Sequence, residues 1–284
     1  MTTPRDRFLV ANRLTHHLVE WAGDGPLVIL LHGFLEHARV WDWVAPRLAT
    51  AGHRVMALDW RGHGDTQWVG AGGYYHFADY VADLDGVVRA LGGRALLVAH
   101  SMGGNAAALY AGAEPARVGA LALIEGVGPP SEDFAQAPAR YAGWFADLQG
   151  AGARPGPVRS LDDAVTRLRE RYTRLPPDAI EHLARSSTRA IDGGLTWKFD
   201  PLHRTRSPQP FYVEQARAFW RRVQCPVLYI AGGDSMLQLP DDELDDRLAT
   251  LRAQRATIAA SGHHPHLEQP EALADVLIGF LRGK

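Results

Sequence analysis

Ser101 stands among small residues in Ala99-His100-Ser101-Met102-Gly103-Gly104, after an apolar run from Arg94 to Ala99 and before a helix-forming run from Asn105 to Tyr110. A strand that turns sharply into a helix holds such a serine in a strained backbone geometry. The hydroxyl then stands clear of the sheet with the helix N-terminus beneath it. Neighbours must be small, because larger side chains collide with the turn. Ala99 meets that demand, although glycine is the usual residue there. Such a hydroxyl can transfer acyl groups if a base takes its proton and N–H donors hold the oxyanion. A serine capping a helix after a strand is also a common inert arrangement, so its partners must decide. His263, in Ser261-Gly262-His263, offers the base. The backbone N–H groups of Phe34 and Met102 are the expected oxyanion donors.

Four segments carry the pattern in order: His32-Gly33-Phe34, Asp59-Trp60-Arg61-Gly62-His63-Gly64, Ala99 to Gly103, and Gly262-His263-His264-Pro265-His266-Leu267-Glu268-Gln269-Pro270. Together they resemble the α/β-hydrolase superfamily over nearly the whole chain, roughly Phe8 to Leu281. Within it, the chain is most similar to the serine-hydrolase-like proteins and to esterases and carbon–carbon hydrolases that carry a helical lid. The resemblance implies a nucleophile elbow at Ser101 and a catalytic triad in the order serine, acid, histidine. Asp234, in Ala231-Gly232-Gly233-Asp234, matches the position most of the superfamily uses for the acid and is the expected residue. Glu125, ending the strand before it, is the alternative that some lidded relatives use. Asp234 could equally be a turn-former after two glycines, and Glu125 could line the pocket or bind an arginine of the lid.

The implied activity is hydrolysis of an ester of a small apolar or aromatic substrate through an acyl-enzyme. Thioester, amide, lactone or carbon–carbon hydrolysis and cofactor-free haloperoxidase chemistry use the same triad. Serine rather than aspartate at 101 argues against the epoxide hydrolases and haloalkane dehalogenases, which form their ester intermediate on a carboxylate. A non-catalytic ligand-binding relative is the alternative from another class. No cofactor is implied.

The elements that would position these residues can be read from periodicity. Residues 7–20 read as a β-hairpin. Apolar strands follow near 27–31, 54–58, 94–99 and 118–124, separated by helical patterns near 40–51, 77–91 and 102–113. Such alternation predicts an α/β fold: a mostly parallel central sheet with helices on both faces. After the sixth strand the character changes. Residues 131–222 hold no convincing buried strand, but do hold a helical segment, Leu161 to Tyr172, with Leu161, Val165, Leu168 and Tyr172 on one face. The alternation resumes with a strand at 226–231, a helix near 241–253, a short strand near 255–259 and a final helix at 270–282. The expected organisation is a hydrolase core of residues 1–130 and 223–284, with 131–222 inserted as a helical lid over the strand ends, where open α/β sheets bind ligands. The Ala/Gly/Pro stretch 150–157 reads as a loop within it.

Composition sets limits. The 284 residues carry a net charge of −2, and no basic tract suggests a nucleic-acid partner. Nearly all the positive charge is arginine, with only Lys198 and Lys284 as lysines, which reads as compositional bias. The single cysteine, Cys225, excludes an internal disulfide framework. No signal-peptide pattern and no apolar run of membrane-spanning length occurs, so the expectation is a cytoplasmic protein with a small-molecule substrate and no membrane partner. Oligomeric state is not legible.

Several residues attract plainer readings. His263, His264 and His266 crowd together, but no Cys or HExxH spacing supplies further ligands, so no metal site is expected. His264 and His266 should pack the loop, His100 should hydrogen-bond nearby loops beneath the elbow, and His32 should brace the oxyanion loop. Asp59, Arg61, His63 and Asp65 read as a hydrogen-bonded scaffold. Phe34 and Met102 are expected to line the substrate pocket, joined from the insertion by Trp144 and Trp197. Most other aromatic residues there, including Phe145, Phe199 and Trp220, would form the lid's own core.

Overall fold

The computed structural model describes residues 3–150, 158–237 and 239–284; most of the stretch 150–157 read as a loop therefore lies outside the described residues. The chain opens with the expected hairpin, β1 (Arg5–Ala11) and β2 (Leu14–Trp21), paired antiparallel from Arg5–Glu20 to Ala11–Leu14. Its two turn residues, Asn12 and Arg13, have φ of 44° and 65°. Positive φ at both central positions is the turn whose twist matches that of the flanking strands. Alternation then sets in: β3 (Leu27–Leu31), α1 (Ala45–Thr50), β4 (Arg54–Leu58), α2 (Phe77–Ala90), β5 (Ala95–His100), α3 (Met102–Ala113) and β6 (Val118–Ile124). The helical pattern near 40–51 resolves into a short 3-10 turn, Ala38–Trp41, and the two-turn helix α1, with Pro46 in the first turn of α1.

Between β6 and the next sheet strand lie α4 (Ala137–Gly150), α5 (Leu161–Arg171), α6 (Pro177–Ser186), a hairpin of β7 (Thr188–Ile191) and β8 (Gly194–Trp197), and α7 (Val213–Trp220). The hairpin is an addition to the all-helical expectation. Three of the four residues of β7 are exposed and all of β8 is half-buried, so neither strand shows the apolar alternation that marks a strand in sequence. The chain ends with β9 (Val227–Gly232), α8 (Asp241–Leu251), β10 (Gln254–Ile258), α9 (Pro265–Glu268) and α10 (Pro270–Leu281).

The eight-stranded sheet runs β1-β2-β4-β3-β5-β6-β9-β10 and is parallel from β4 onward. Successive side chains of a strand face opposite sides of the sheet, and both sides are covered. Val28 and Leu30 pack with Trp41, Leu48 and the α10 residues Leu273 and Leu277. Ile29 and Leu31 pack with Leu84 of α2, Ala107 of α3, Trp220 of α7 and Leu248 of α8. Burial on both faces explains why these strands read as continuous apolar runs. Among the described residues no helix is long and apolar enough to cross a membrane.

This topology has a direct consequence for chemistry. Parallel strands bring all their C-terminal ends to one edge of the sheet, so the segments after β3, β5, β6, β9 and β10 gather there. Phe34, Ser101, Glu125, Asp234 and His263 belong to those five segments.

Candidate active site

Ser101 follows β5 and precedes α3 with φ 49° and ψ −116°, a conformation that costs a non-glycine residue about 1–3 kcal/mol. The close packing below it explains the neighbouring glycine. A Cβ at Gly103 would lie 2.6 Å from the His32 carbonyl oxygen and 2.8 Å from that of Leu31, so only glycine lets α3 start against the end of β3. The strain presents the hydroxyl to the imidazole of His263, whose Nε2 is 3.1 Å from Ser101 Oγ.

The other imidazole nitrogen meets Glu125, the alternative acid, and not Asp234. His263 Nδ1 lies 3.2 Å from Glu125 Oε2, and the Glu125 side chain is 1% exposed. Asp234, expected in this role, is turned outward: its carboxylate is 50% exposed and accepts a hydrogen bond from Arg174 Nη1 at 2.9 Å. Reach decides between them. Glu125 enters the site from the end of β6 with φ 53°, and its carboxylate also accepts the Gly232 N–H at 2.7 Å and the Ser235 hydroxyl at 2.6 Å. Burial pushes the Glu125 carboxyl up, but the hydrogen bonds from His263, Ser235 and Gly232 outweigh it and hold the group below its ordinary value. Glu125 is thus an anion beside the imidazole.

The loop after β3 is braced as expected. His32, fully buried, donates Nδ1–H to the Gly33 carbonyl at 2.7 Å and accepts the Trp60 N–H on Nε2 at 3.1 Å. Its neutral tautomer is thereby fixed, and burial lowers its pKa. The N–H of Phe34 has no acceptor among the described residues, and that of Met102 belongs to the first turn of α3, where a helix leaves its donors unpaired. The Phe34 side chain is 42% exposed, while Met102 packs on the sheet side with α3.

Glu36 is the buried residue at this site that sequence reading passed over. Its buried carboxylate accepts the Gly33 N–H at 2.7 Å and faces His100 Nδ1 at 3.0 Å. His100 in turn donates Nε2–H to the His263 carbonyl at 2.8 Å, and His264 and His266 each approach the second Glu36 oxygen to 3.6 Å. One carboxylate therefore ties together the loop before Phe34, the residue before Ser101 and the backbone of His263. Burial raises the Glu36 pKa, but the surrounding histidines reverse this and hold it well below normal. The only sequence signal was a charged residue two positions after Phe34, ahead of buried Val40 and Trp41. Glu36→Ala strands these buried donors and should destabilise the fold by about 3–5 kcal/mol, the usual cost of removing one partner of a buried pair. Urea denaturation of the variant measures it, and a loss below about 1 kcal/mol would contradict the assignment.

Two groups have the donor types and convergence to hold an ion: Glu36, His100 and His266, and His17, Asp59 and Asp65, with ligand atoms in each within 4.8 Å of one another. In the first set Glu36 and His100 hydrogen-bond to each other, while His266 stays 3.6 Å from the second Glu36 oxygen; the second set is engaged throughout. Asp59 is held by His17 Nδ1 at 2.6 Å and by the N–H groups of Ala38 and Asp65, while Arg61 grips Asp83 through two contacts of 2.6 Å. These are the scaffold roles that sequence suggested for Asp59 and Arg61. His63 has Nδ1 3.0 Å from the Arg61 carbonyl, and Asp65 also receives Lys198 Nζ at 2.7 Å.

A cavity of about 240 Å³ opens beside this edge, between the loop after β3 and the inserted segment. Leu35, Glu36, Tyr172, Trp197 and Phe199 are among its walls; Ser101 and His263 are not, and Leu35 is the wall residue that adjoins Phe34 in the chain. Trp197 thus lines this cavity. Trp144 does not: it packs edge-on against Tyr74 at 5.5 Å and beside Phe145, because α4 turns its aromatic residues toward one another.

The α/β-hydrolase-fold family model matches residues 26–270, and the chain belongs to that family. It is 27% identical over 91% of its length to a serine hydrolase-like protein of Danio rerio, covering 82% of that protein. Relatives in Mycobacterium tuberculosis include the esterase Rv0045c, 28% identical over 93% of this chain and 85% of its own, and epoxide hydrolase A, 28% identical over 100% and 99%. Among solved structures, a thioesterase domain from the curacin biosynthetic pathway superposes with a TM-score of 0.88 at 27% identity, covering 98% of this chain and 100% of that one. The protein is a hydrolase of the α/β-hydrolase family, with esterase and epoxide hydrolase relatives.

Proposed function

We propose that the protein is a serine esterase that works through Ser101, His263 and Glu125. The observation that carries this is the continuous chain of contacts from the Ser101 hydroxyl through both imidazole nitrogens to a buried carboxylate, 3.1 and 3.2 Å long. His263 takes the serine proton as Ser101 attacks the ester carbonyl. Glu125 holds Nδ1–H, which fixes the tautomer and stabilises the imidazolium that forms. The oxyanion rests on the N–H groups of Phe34 and Met102, a contribution of about two to three orders of magnitude per donor. His263 then protonates the leaving alcohol, and water enters by the same base to release the acid. A serine at 101 favours acyl-enzyme chemistry over the epoxide opening of some relatives, which needs a carboxylate nucleophile. Thioesters fall within the same mechanism, and the thioesterase neighbour supports including them. Residues 131–222 act as the lid, and the substrate is small, with an apolar or aromatic portion seated near Phe34 and Trp197.

A fluorophosphonate probe tests the reading. The parent protein should be labelled stoichiometrically and Ser101→Ala not at all, with p-nitrophenyl acetate turnover falling at least about 10³-fold in the variant. Labelling that survives the substitution, or its absence from the parent, would sink the proposal.

A further inference from the structure

The cavity beside the loop after β3 is mostly apolar and aromatic, yet Arg167, Arg171 and Arg204 open onto it. Arg167 is answered by Asp163, which it meets through Nε and Nη2 at 2.8 Å each. The other two differ: among the described residues neither Arg171 nor Arg204 has a carboxylate partner. Other arginines do meet one, as Arg206 does with Asp147 and Arg54 with Glu20, although Arg189, over the Trp68 ring, does not. Each of the two is instead held over a ring, Arg171 at 5.2 Å from the Tyr172 centroid and Arg204 at 5.3 Å from that of Phe199. A guanidinium held over a ring keeps N–H groups free for a carboxylate, in Arg171 those not given to the Phe34 carbonyl. Glu36, the acidic group in the wall, commits one oxygen to Gly33 and His100 and turns the other toward His264 and His266, 3.6 Å away. Arg171 also donates Nη2–H to the Phe34 carbonyl at 2.9 Å, so its charge is tied to the residue whose own N–H is an expected oxyanion donor.

We infer that this cavity is a substrate subsite for a carboxylate, bound by Arg171 and Arg204, so that the preferred ester ends its apolar chain in an anionic group. The inference rests on the hydrolytic role proposed for Ser101. It also turns two arginines that sequence reading ascribed to composition into determinants of specificity.

Mono-p-nitrophenyl adipate and its methyl-capped diester form a matched pair, long enough that the free carboxylate does not attack its own ester through a five- or six-membered ring. In the parent protein kcat/KM should favour the acid by about tenfold or more, the scale of one charge-assisted pair. In Arg171→Gln/Arg204→Gln the ratio should fall to about one, and because a ratio is read, any general disturbance of the Phe34 loop cancels. A parent that prefers the capped ester, or a ratio unmoved by the double substitution, overturns the subsite. Calorimetric titration of adipate into Ser101→Ala separates the two proposals. Binding that is lost on adding the arginine substitutions supports the subsite even if no ester is turned over. No binding refutes it, while turnover of the neutral ester would leave the hydrolase reading standing.

Discussion

Glu125→Gln lowers kcat by about three to four orders of magnitude, whereas Asp234→Asn leaves it within a few-fold of the parent. The Glu125 carboxylate accepts from Gly232 N–H, Ser235 Oγ–H and His263 Nδ1 at once, a load that needs an acceptor-only group. An amide keeps one acceptor oxygen and turns its NH2 toward a neighbour that also donates. The imidazole then loses the partner that sets its tautomer, and Nε2 no longer faces Ser101 as a base. Asp234 has no such hold on the ring: half-exposed and bound to Arg174, it can lose its charge with little consequence at Ser101. Steady-state kinetics on a p-nitrophenyl ester checks both, and the reverse ranking would return the role to Asp234.

Acidification from pH 7 to 5 should strip several kcal/mol of stability before any carboxylate titrates. Burial holds His37 and His266 at about 4 and His203 at about 3, against an unfolded value of about 6.5. Below pH 6.5 the unfolded chain takes up protons that the folded chain refuses, so stability falls with pH until the folded values are reached. Each such histidine costs up to about 1.4 kcal/mol per pH unit, and less near either end of that window. From pH 6.5 to 4.5 the three sum to about 6–7 kcal/mol, against a total stability of about 5–15 kcal/mol for a domain. His17 works the other way and returns part of this: burial disfavours its charge, but the hydrogen bond it donates to the Asp59 carboxylate prevails and raises its pKa. Glu36 and Asp59, both depressed, withdraw their support only below about pH 4.5, where the unfolded carboxylates protonate. Urea midpoints at pH 7.5, 6 and 5 measure the effect, and a flat profile would refute the burial of these rings.

Much of the site was readable because it lies at strand ends, and buried parallel strands announce themselves as apolar runs. Ser101 was marked by the small residues its turn demands, and His263 by its place after the last strand. The acid was not readable, since β6 and β9 are neighbours and both Glu125 and Asp234 follow strands at the same edge. Strand order places both candidates within a few residues of the imidazole; only the path of each side chain separates them. Arg174, which draws Asp234 away, comes from the inserted segment 60 residues earlier in the chain. Trp144 was misplaced for a related reason: an aromatic residue on an insertion helix can face a cleft or its own neighbours with the same sequence pattern.

The amino-acid sequence alone determined the layered sheet, the strand–turn–helix around Ser101 and the chain order of Ser101, Glu125 and His263, because local sterics and apolar periodicity act within short stretches of chain. Tertiary structure alone decided that Glu125 meets His263, that Glu36 joins three loops, and that Arg171 and Arg204 open onto one cavity. Those contacts depend on directions and distances of a few ångströms between residues far apart in sequence, and no local pattern encodes them.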